Sequence, residues 1–315
     1  MENVAKRWKA ESEWPELKEG KIFATEIPHH LPSGMQGFVF NLRNPLFQDI
    51  RVRKALTMLL DFEWINNNLF FGLYKRTTSY FDNSELKAPP LPDKAERKLL
   101  RPYEKELPEG TLNTAFELPN LSSREALRKA LDLLEEAGWS VQNNVLQKEG
   151  VPFQFTILLD ALSTPVWERV VLPYVARLKR LGIQVDIQTV DLLQYKTRLD
   201  RFDYDMIVYV WGASLSPGNE QADYWGSAAA DTEGSNNFTG IKNAAIDALI
   251  EYIKIASNRQ ELVTATHALD RVLLHSYIVV PHWYSPVTRL LHTPSLRAPQ
   301  IVPLQGLDLM TWWKK

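Results

Sequence analysis

At 315 residues the chain is long enough for one large or two medium domains, each with its own core. A formal net charge of −2 without a basic stripe gives no electrostatic case for nucleic acid. The absence of cysteine excludes disulfides, thiolate catalysis and cysteine-ligated metals, and it fits any redox compartment.

The first 48 residues read as irregular chain with one strand, Gly37–Asn41, bounded by turn formers. Met1-Glu2-Asn3-Val4 shows no basic segment followed by an apolar stretch, so no signal peptide is visible. Val52, Ala55, Leu56 and Leu59 repeat at helical spacing, which predicts a helix over 49–73 ending near Gly72. A proline-rich stretch over 82–121 has little periodicity; its length suggests that it wraps a domain or binds something.

The middle reads as α/β. Ser122 and Glu125 form a capping box that opens a helix, and Gly138 stands where a C-terminal cap belongs. Phe153, Phe155, Ile157 and Leu159 alternate as a strand, followed by a helix over 166–181 with Pro173 set to kink it. Ile183, Val185 and Ile187 form the next strand, and a helix over 192–202 leads into Met206–Trp211. That last run is apolar on both faces, as in a strand between two helical layers. Connections this short predict parallel strands with right-handed crossovers. Two helices follow, carrying the stripes Ile246, Leu249, Ile250, Ile253 and Leu262, Thr266, Leu269, Leu273, the second capped by Asn258 with Glu261. Val279–Tyr284 and a proline-rich tail close the chain.

In open parallel sheets ligands bind beyond the carboxyl ends of the strands. The buried strand ends at Trp211 and opens into small residues, Gly212, Ser214 and Ser216, then the polar Asn219 and Glu220, then Tyr224 and Trp225. Small, polar and aromatic groups gathered there suit a peptide or sugar site. A surface turn whose aromatics seal the domain fits the same residues. Asn237, and His282 beside Trp283 and Tyr284, join the candidate site, with a core or hinge role open for His282.

These residues carry a resemblance. The segment from Phe47 to Leu56, with Asp61 and Trp64 behind it, resembles the entry to the second lobe of family 5 extracellular solute-binding proteins, the peptide and oligopeptide receptors of bacterial ABC importers. Ala130–Trp139, Leu178–Ile183, Asp203–Met206 and Asn236-Asn237 before Ile246–Ile250 follow in the same order. Phe70–Tyr74, Ser79–Ser84 and Ser214–Gln221 resemble the YejA-type subgroup. The resemblance implies an α/β lobe of the periplasmic-binding-protein type II kind plus terminal strands of an incomplete first lobe. Residues 1–45 and 286–315 would belong to the first lobe and hinge, and 46–285 to the second lobe. It further implies periplasmic location, with the signal peptide in a missing N-terminal half, membrane permease subunits as partners, peptide or peptide-like ligands, and no cofactor. The strand at 37–41 and the segment 279–284 would then expect sheet neighbours from the absent half, with an open site and self-association as consequences.

One position departs from the family. In dipeptide- and oligopeptide-binding members, the third residue after the tryptophan ending this strand is an Asp that pairs with the ligand's α-ammonium group. Ser214 stands here, and a hydroxyl cannot replace that charge. Either the ligand lacks a free amino terminus, or Glu220 or Asp223 supplies the charge. Enzyme signals are poor, with no G-x-S-x-G, no G-x-G-x-x-G, no P-loop and no H-E-x-x-H. Asp203 and Asp205 precede the strand and read as a turn or cap, His29-His30 as surface histidines, and Arg76 as a surface arginine with a ligand carboxylate as the alternative. The reading is a solute receptor rather than an enzyme; the same binding fold serving as the ligand-sensing module of a transcriptional regulator is the alternative.

Overall fold

The computed structural model describes residues 2–118 and 120–315, and side chains from Ala5 onward. Its centre is a five-stranded mixed sheet. In chain order the elements that build it are β1 (Phe23–Pro28), β2 (Met35–Phe40), α1 (Ile50–Met58), α2 (Phe62–Leu69), β3 (Lys75–Arg76), α3 (Lys94–Leu100), α4 (Ser123–Glu136), β4 (Gln154–Asp160), α5 (Thr164–Arg180), β5 (Gln184–Val190), α6 (Leu192–Asp200), β6 (Met206–Trp211), α7 (Glu220–Trp225), α8 (Ala244–Ile255), α9 (Arg259–His275), β7 (Val279–Pro281), β8 (Trp283–Tyr284) and β9 (Val287–His292).

The sheet runs β7-β2-β6-β4-β5. β4 lies parallel to both β5 and β6, as the strand–helix–strand pattern predicts. Alternating side chains divide it into two cores. Phe38, Phe40, Phe155, Ile157 and Met206 face α1, α4 and α5; Val39, Leu158, Ile207 and Trp211 face α8 and α9. Burying each such large apolar side chain contributes about 1.5–3 kcal/mol, so this layered burial is the main force holding the lobe. Among the described residues no helix is long and apolar enough to cross a membrane.

Four expectations need correction. The strand at 37–41 does not wait for neighbours from elsewhere: β2 is buried throughout and pairs antiparallel with β6 on one side and β7 on the other. Residues 279–284 likewise find partners within the chain, Val279–Pro281 on β2 and Trp283–Tyr284 on β3. Apolar side chains on both faces of β2 (Phe38 and Phe40 against Met35 and Val39) demand a central place in a sheet. Hence the segment before residue 45 contributes a strand to the same sheet as 46–285. The helix expected over 49–73 is two helices, because the Asp61 carboxylate accepts the Trp64 amide at 3.0 Å and starts a new one. The stretch 82–121 hides α3, opened by a capping box of Asp93 and Glu96.

The long connection 79–88 is held by one carboxylate. Asp270 on α9, completely buried, accepts Ser79 Oγ at 2.7 Å and the amides of Tyr80 and Ala88 at 2.7 and 3.0 Å. Burial raises its pKa to about 6 against the pull of those donors. At the sheet's other end Asp205 accepts the Thr156 amide at 2.8 Å and Asn44 Nδ2 at 2.7 Å, stitching β4 and β6 to the turn after β2. It serves as a structural acceptor.

Candidate ligand-binding site

At the carboxyl edge of β6 the chain leaves the sheet through 212–219 and enters α7. Gly34, at φ +69°, packs under the exit so closely that a Cβ there would lie 2.1 Å from the Trp211 carbonyl oxygen. Gly34 supplies the close backbone approach, while a Cβ on Gly212 would meet open space. Across the loop, Arg259 pairs with Glu85 at 2.5 Å and also donates to the Leu215 carbonyl, tying the loop to the 79–88 connection.

The candidate residues separate into two groups. Trp211 and Trp225 are nearly inaccessible, packed ring to ring at 4.7 Å within the α8–α9 core. Their indole N–H groups donate inward, Trp211 to the Asn236 carbonyl at 3.0 Å and Trp225 to Gln221 Oε1 at 3.1 Å. Asn237 is completely buried. Its Nδ2 donates to the carbonyls of Gly226 and Ile241, and its Oδ1 accepts Thr239 Oγ1 and the Gly240 amide. Arg43, stacked 3.6 Å over Phe202, donates to the carbonyls of Ala230 and Asn237 and so clamps the same turn from behind. These three candidates shape the wall from within.

His282 is also sealed in. Its ring stacks on Trp283 at 4.8 Å, meets the edge of Phe38 at 4.5 Å and lies 5.5 Å from Trp167. Burial, with Arg76 nearby, depresses its pKa to about 3, so it is a neutral imidazole. Gly212, Ser214, Ser216 and Asn219 are exposed, and Glu220 and Tyr224 are half-buried. Ser214 Oγ accepts the Ser216 amide at 3.2 Å. Glu220 Oε1 accepts the Gly218 amide at 2.9 Å and Gln221 Nε2 at 3.2 Å, and Asp223 accepts the amide and Nδ2 of Asn236. Burial raises the Tyr224 phenol's pKa, with Glu220 and Asp223 adding to it, so it stays protonated and can donate.

What this edge presents is therefore a stiff aromatic base under a short polar loop. It has no assembled nucleophile, base and orienting group of the kind hydrolysis needs. Gln36 and Thr77 carry no sequence signal, and Arg76, expected at the surface, instead buries its Nε with them and with Trp283. They gather around His282 only because strands distant in sequence pair there.

A mixed sheet covered by helices on both faces, with a polar loop at the carboxyl edge, has the layout of a binding lobe. Residues 9–233 match the model of bacterial extracellular solute-binding proteins, family 5 (middle), and the chain belongs to that family. A relative from Agrobacterium fabrum named “Probable peptide-binding protein YejA” is 39% identical over 322 residues, covering 99% of this chain and 52% of the relative. The peptidoglycan-binding protein YepA of the same organism is 35% identical, covering 97% of this chain and 50% of YepA. The chain thus spans about half the length of these curated relatives. In fold it matches the oligopeptide-binding protein AppA of Bacillus subtilis, solved with a nonapeptide, at a TM-score of 0.69 and 23% identity, over 99% of this chain and 55% of AppA. The fold is accordingly of the periplasmic-binding-protein type II kind, present here in part.

Proposed function

We propose that the chain is a binding lobe of the extracytoplasmic receptor of an ABC importer, which captures a peptide or peptide-like solute blocked at its amino end and leaves it chemically unchanged. The observation that carries this is the state of the carboxylates on the loop. Ser214 stands where peptide-binding members of the family place an Asp, and both acids that might replace it, Glu220 and Asp223, already accept hydrogen bonds from their own loop and turn. Both keep their charge, but neither stands at the Asp position and both are oriented toward their own loop and turn, so an ammonium group entering at Ser214 would lose its hydration without a carboxylate placed to pair with it. Names among the relatives support the reading: one is called peptide-binding, another peptidoglycan-binding, and peptidoglycan stems are joined through an amide at their amino end. Exposed Gly212, Ser214, Ser216 and Asn219, with Tyr224 behind them, would line the ligand, and Trp211, Trp225 and Asn237 would hold that surface rigid.

On this reading β2 and residues 46–285 form the second lobe. The antiparallel pair β1–β9, Phe23 opposite His292 through Pro28 opposite Val287, is the double crossing toward the first lobe, where a hinge would sit. The permease contact and a periplasmic location belong to the same proposal. Isothermal titration of the full-length receptor with matched free and N-formylated peptides tests it. The formylated series binds more tightly, and Ser214→Asp shifts preference toward free amines; a clear preference of the unaltered receptor for free amines overturns the reading.

A further inference from the structure

Away from the loop, five neighbouring side chains hold six polar atoms that reach neither solvent nor a partner: Gln36 Nε2, Arg76 Nε, Thr77 Oγ1, both ring nitrogens of His282, and Trp283 Nε1. The backbone knits them together, since the Thr77 amide donates to the His282 carbonyl at 3.0 Å and the His282 amide to the Gln36 carbonyl at 2.8 Å. Arg76 stands opposite Trp283 in the β3–β8 pair. Buried polar groups are overwhelmingly satisfied in folded proteins, so this many in one patch calls for an explanation.

Arg76 is the group with most at stake. Its Nη1 makes one long bond, 3.3 Å to the Leu60 carbonyl, and Phe62 lies 5.7 Å from its Cζ. Burial pulls its pKa down to about 10, with Glu63 and Asp61 opposing. It borders a cavity of about 110 Å³ together with Leu60, Asp61, Phe62, Thr78 and Arg177. Thr78, Leu118 and Asn120 also line an adjoining cavity of about 450 Å³ that reaches Lys87, Phe116 and Arg271. Of the cations bordering these two spaces, Arg177 pairs with Asp61, Lys87 with Asp82 and Arg271 with Glu96. Arg76 alone has no ion pair among the described residues. Neither cavity shares a residue with 211–225.

We propose that Arg76 anchors a second small-molecule site, one that takes the carboxylate of an organic acid in the smaller cavity and its uncharged body in the larger. Among the described residues Arg76 is the one cation on these walls without an ion pair, and a single carboxylate can supply the short bonds that it lacks. Asp61, Glu63 and Glu117 on the same walls disfavour a dianion such as phosphate. The combined space falls within the usual range for small ligands, roughly 300–1,000 Å³.

Thermal unfolding of the chain with N-acetyl-alanyl-alanine, its C-terminal amide, and acetate, at fixed ionic strength, tests this. At tenfold the dissociation constant the acid raises the midpoint by on the order of 3 °C. Acetate does the same at higher concentration, and the amide does not. Arg76→Met abolishes the rise and Glu63→Gln preserves it. No shift with either acid, equal shifts from acid and amide, or a shift that survives Arg76→Met overturns the proposal. If Arg76→Met does not fold, arginine Nε–Hε NMR signals of the unaltered chain decide. One that moves with the acid and not the amide supports the site, and none moving refutes it.

Discussion

Arg271 and Glu96 are almost completely enclosed, 2% and 1% exposed, and they join α9 to α3 across the 88–93 segment. Arg271 Nε and Nη2 reach Glu96 Oε2 at 3.1 and 3.0 Å, while Nη1 and Nη2 also donate to the carbonyls of Pro90 and Pro89 at 3.0 and 2.8 Å. Replacing Arg271 by Met leaves a carboxylate and two carbonyls buried without their donor. Losing one partner of a buried pair costs about 3–5 kcal/mol, which corresponds to a fall of roughly 6 °C in midpoint for a chain of this size. Burial already raises the Glu96 pKa against the pull of Arg271. Without the arginine it rises further, so the folded variant takes up a proton at a pH where the unfolded chain does not. The deficit of Arg271→Met therefore shrinks as pH falls from 7 toward 5. Adding Glu96→Leu removes the stranded charge and recovers at least about 2 kcal/mol, because an apolar pair of similar volume replaces a buried ion pair at little cost. Urea unfolding of the four proteins in the cycle measures each term. A loss under about 1 kcal/mol for Arg271→Met, or a double variant no more stable than that single one, refutes the account.

Acid stability follows from three buried groups. Burial depresses His282 to about 3 and His275 to about 4, so below about pH 6.5 the unfolded chain gains two protons that the folded one refuses, while Asp270, raised to about 6, gives one back. Stability thus falls as pH drops from 6 toward 4 by a net one proton, about 1.4 kcal/mol per unit, and His282→Phe, which keeps the ring stack, flattens that slope; an unchanged slope in calorimetry at several pH values would contradict this. Asn237→Ala strands four partners of one carboxamide and is expected to cost about 3 kcal/mol with faster amide exchange through 226–241, so unaltered exchange there would show that the turn does not depend on it. Gly34→Ala places a methyl against the Trp211 carbonyl at positive φ and is expected to cost about 2 kcal/mol or more, with changed Trp211 fluorescence; a silent variant would mean the exit of β6 yields easily.

Much of the fold was legible because its signals are local. Met206–Trp211 was read to the residue from its apolar run, and the caps at Ser122 with Glu125 and at Asn258 lie within one turn of the helices they start. What failed was long-range. Nothing in Gly37–Phe40 announces that β7, some 240 residues later, pairs on one side and β6 on the other. The strand's own residues, apolar on both faces, were the available hint that it is central. The helix break at Asp61 is hidden for a different reason: it interrupts a helical stripe without changing its period, and only the bond from the Trp64 amide to its carboxylate shows the break.

The site was legible by residue type and illegible by residue state. Sequence can say that Asn237, Glu220, Ser214 and His282 are polar groups near the end of a strand; it cannot say which have spent their hydrogen bonds. Asn237 has spent all four within the turn 226–241. Glu220 and Asp223 keep their charge, but bonds to 218–221 and 236 orient their carboxylates toward their own loop and turn. His282 has spent none, yet is closed to solvent. A group already satisfied internally serves a ligand best as scaffold, since breaking its bonds costs about what the new contact returns. On the proposed function, recognition would fall to Gly212, Ser214, Ser216 and Asn219, exposed and short, above the packed indoles of Trp211 and Trp225. Short uncharged groups on a rigid wall read shape and amide hydrogen bonds rather than charge, so on that proposal Ser214→Asp is the change expected to alter the choice of ligand most.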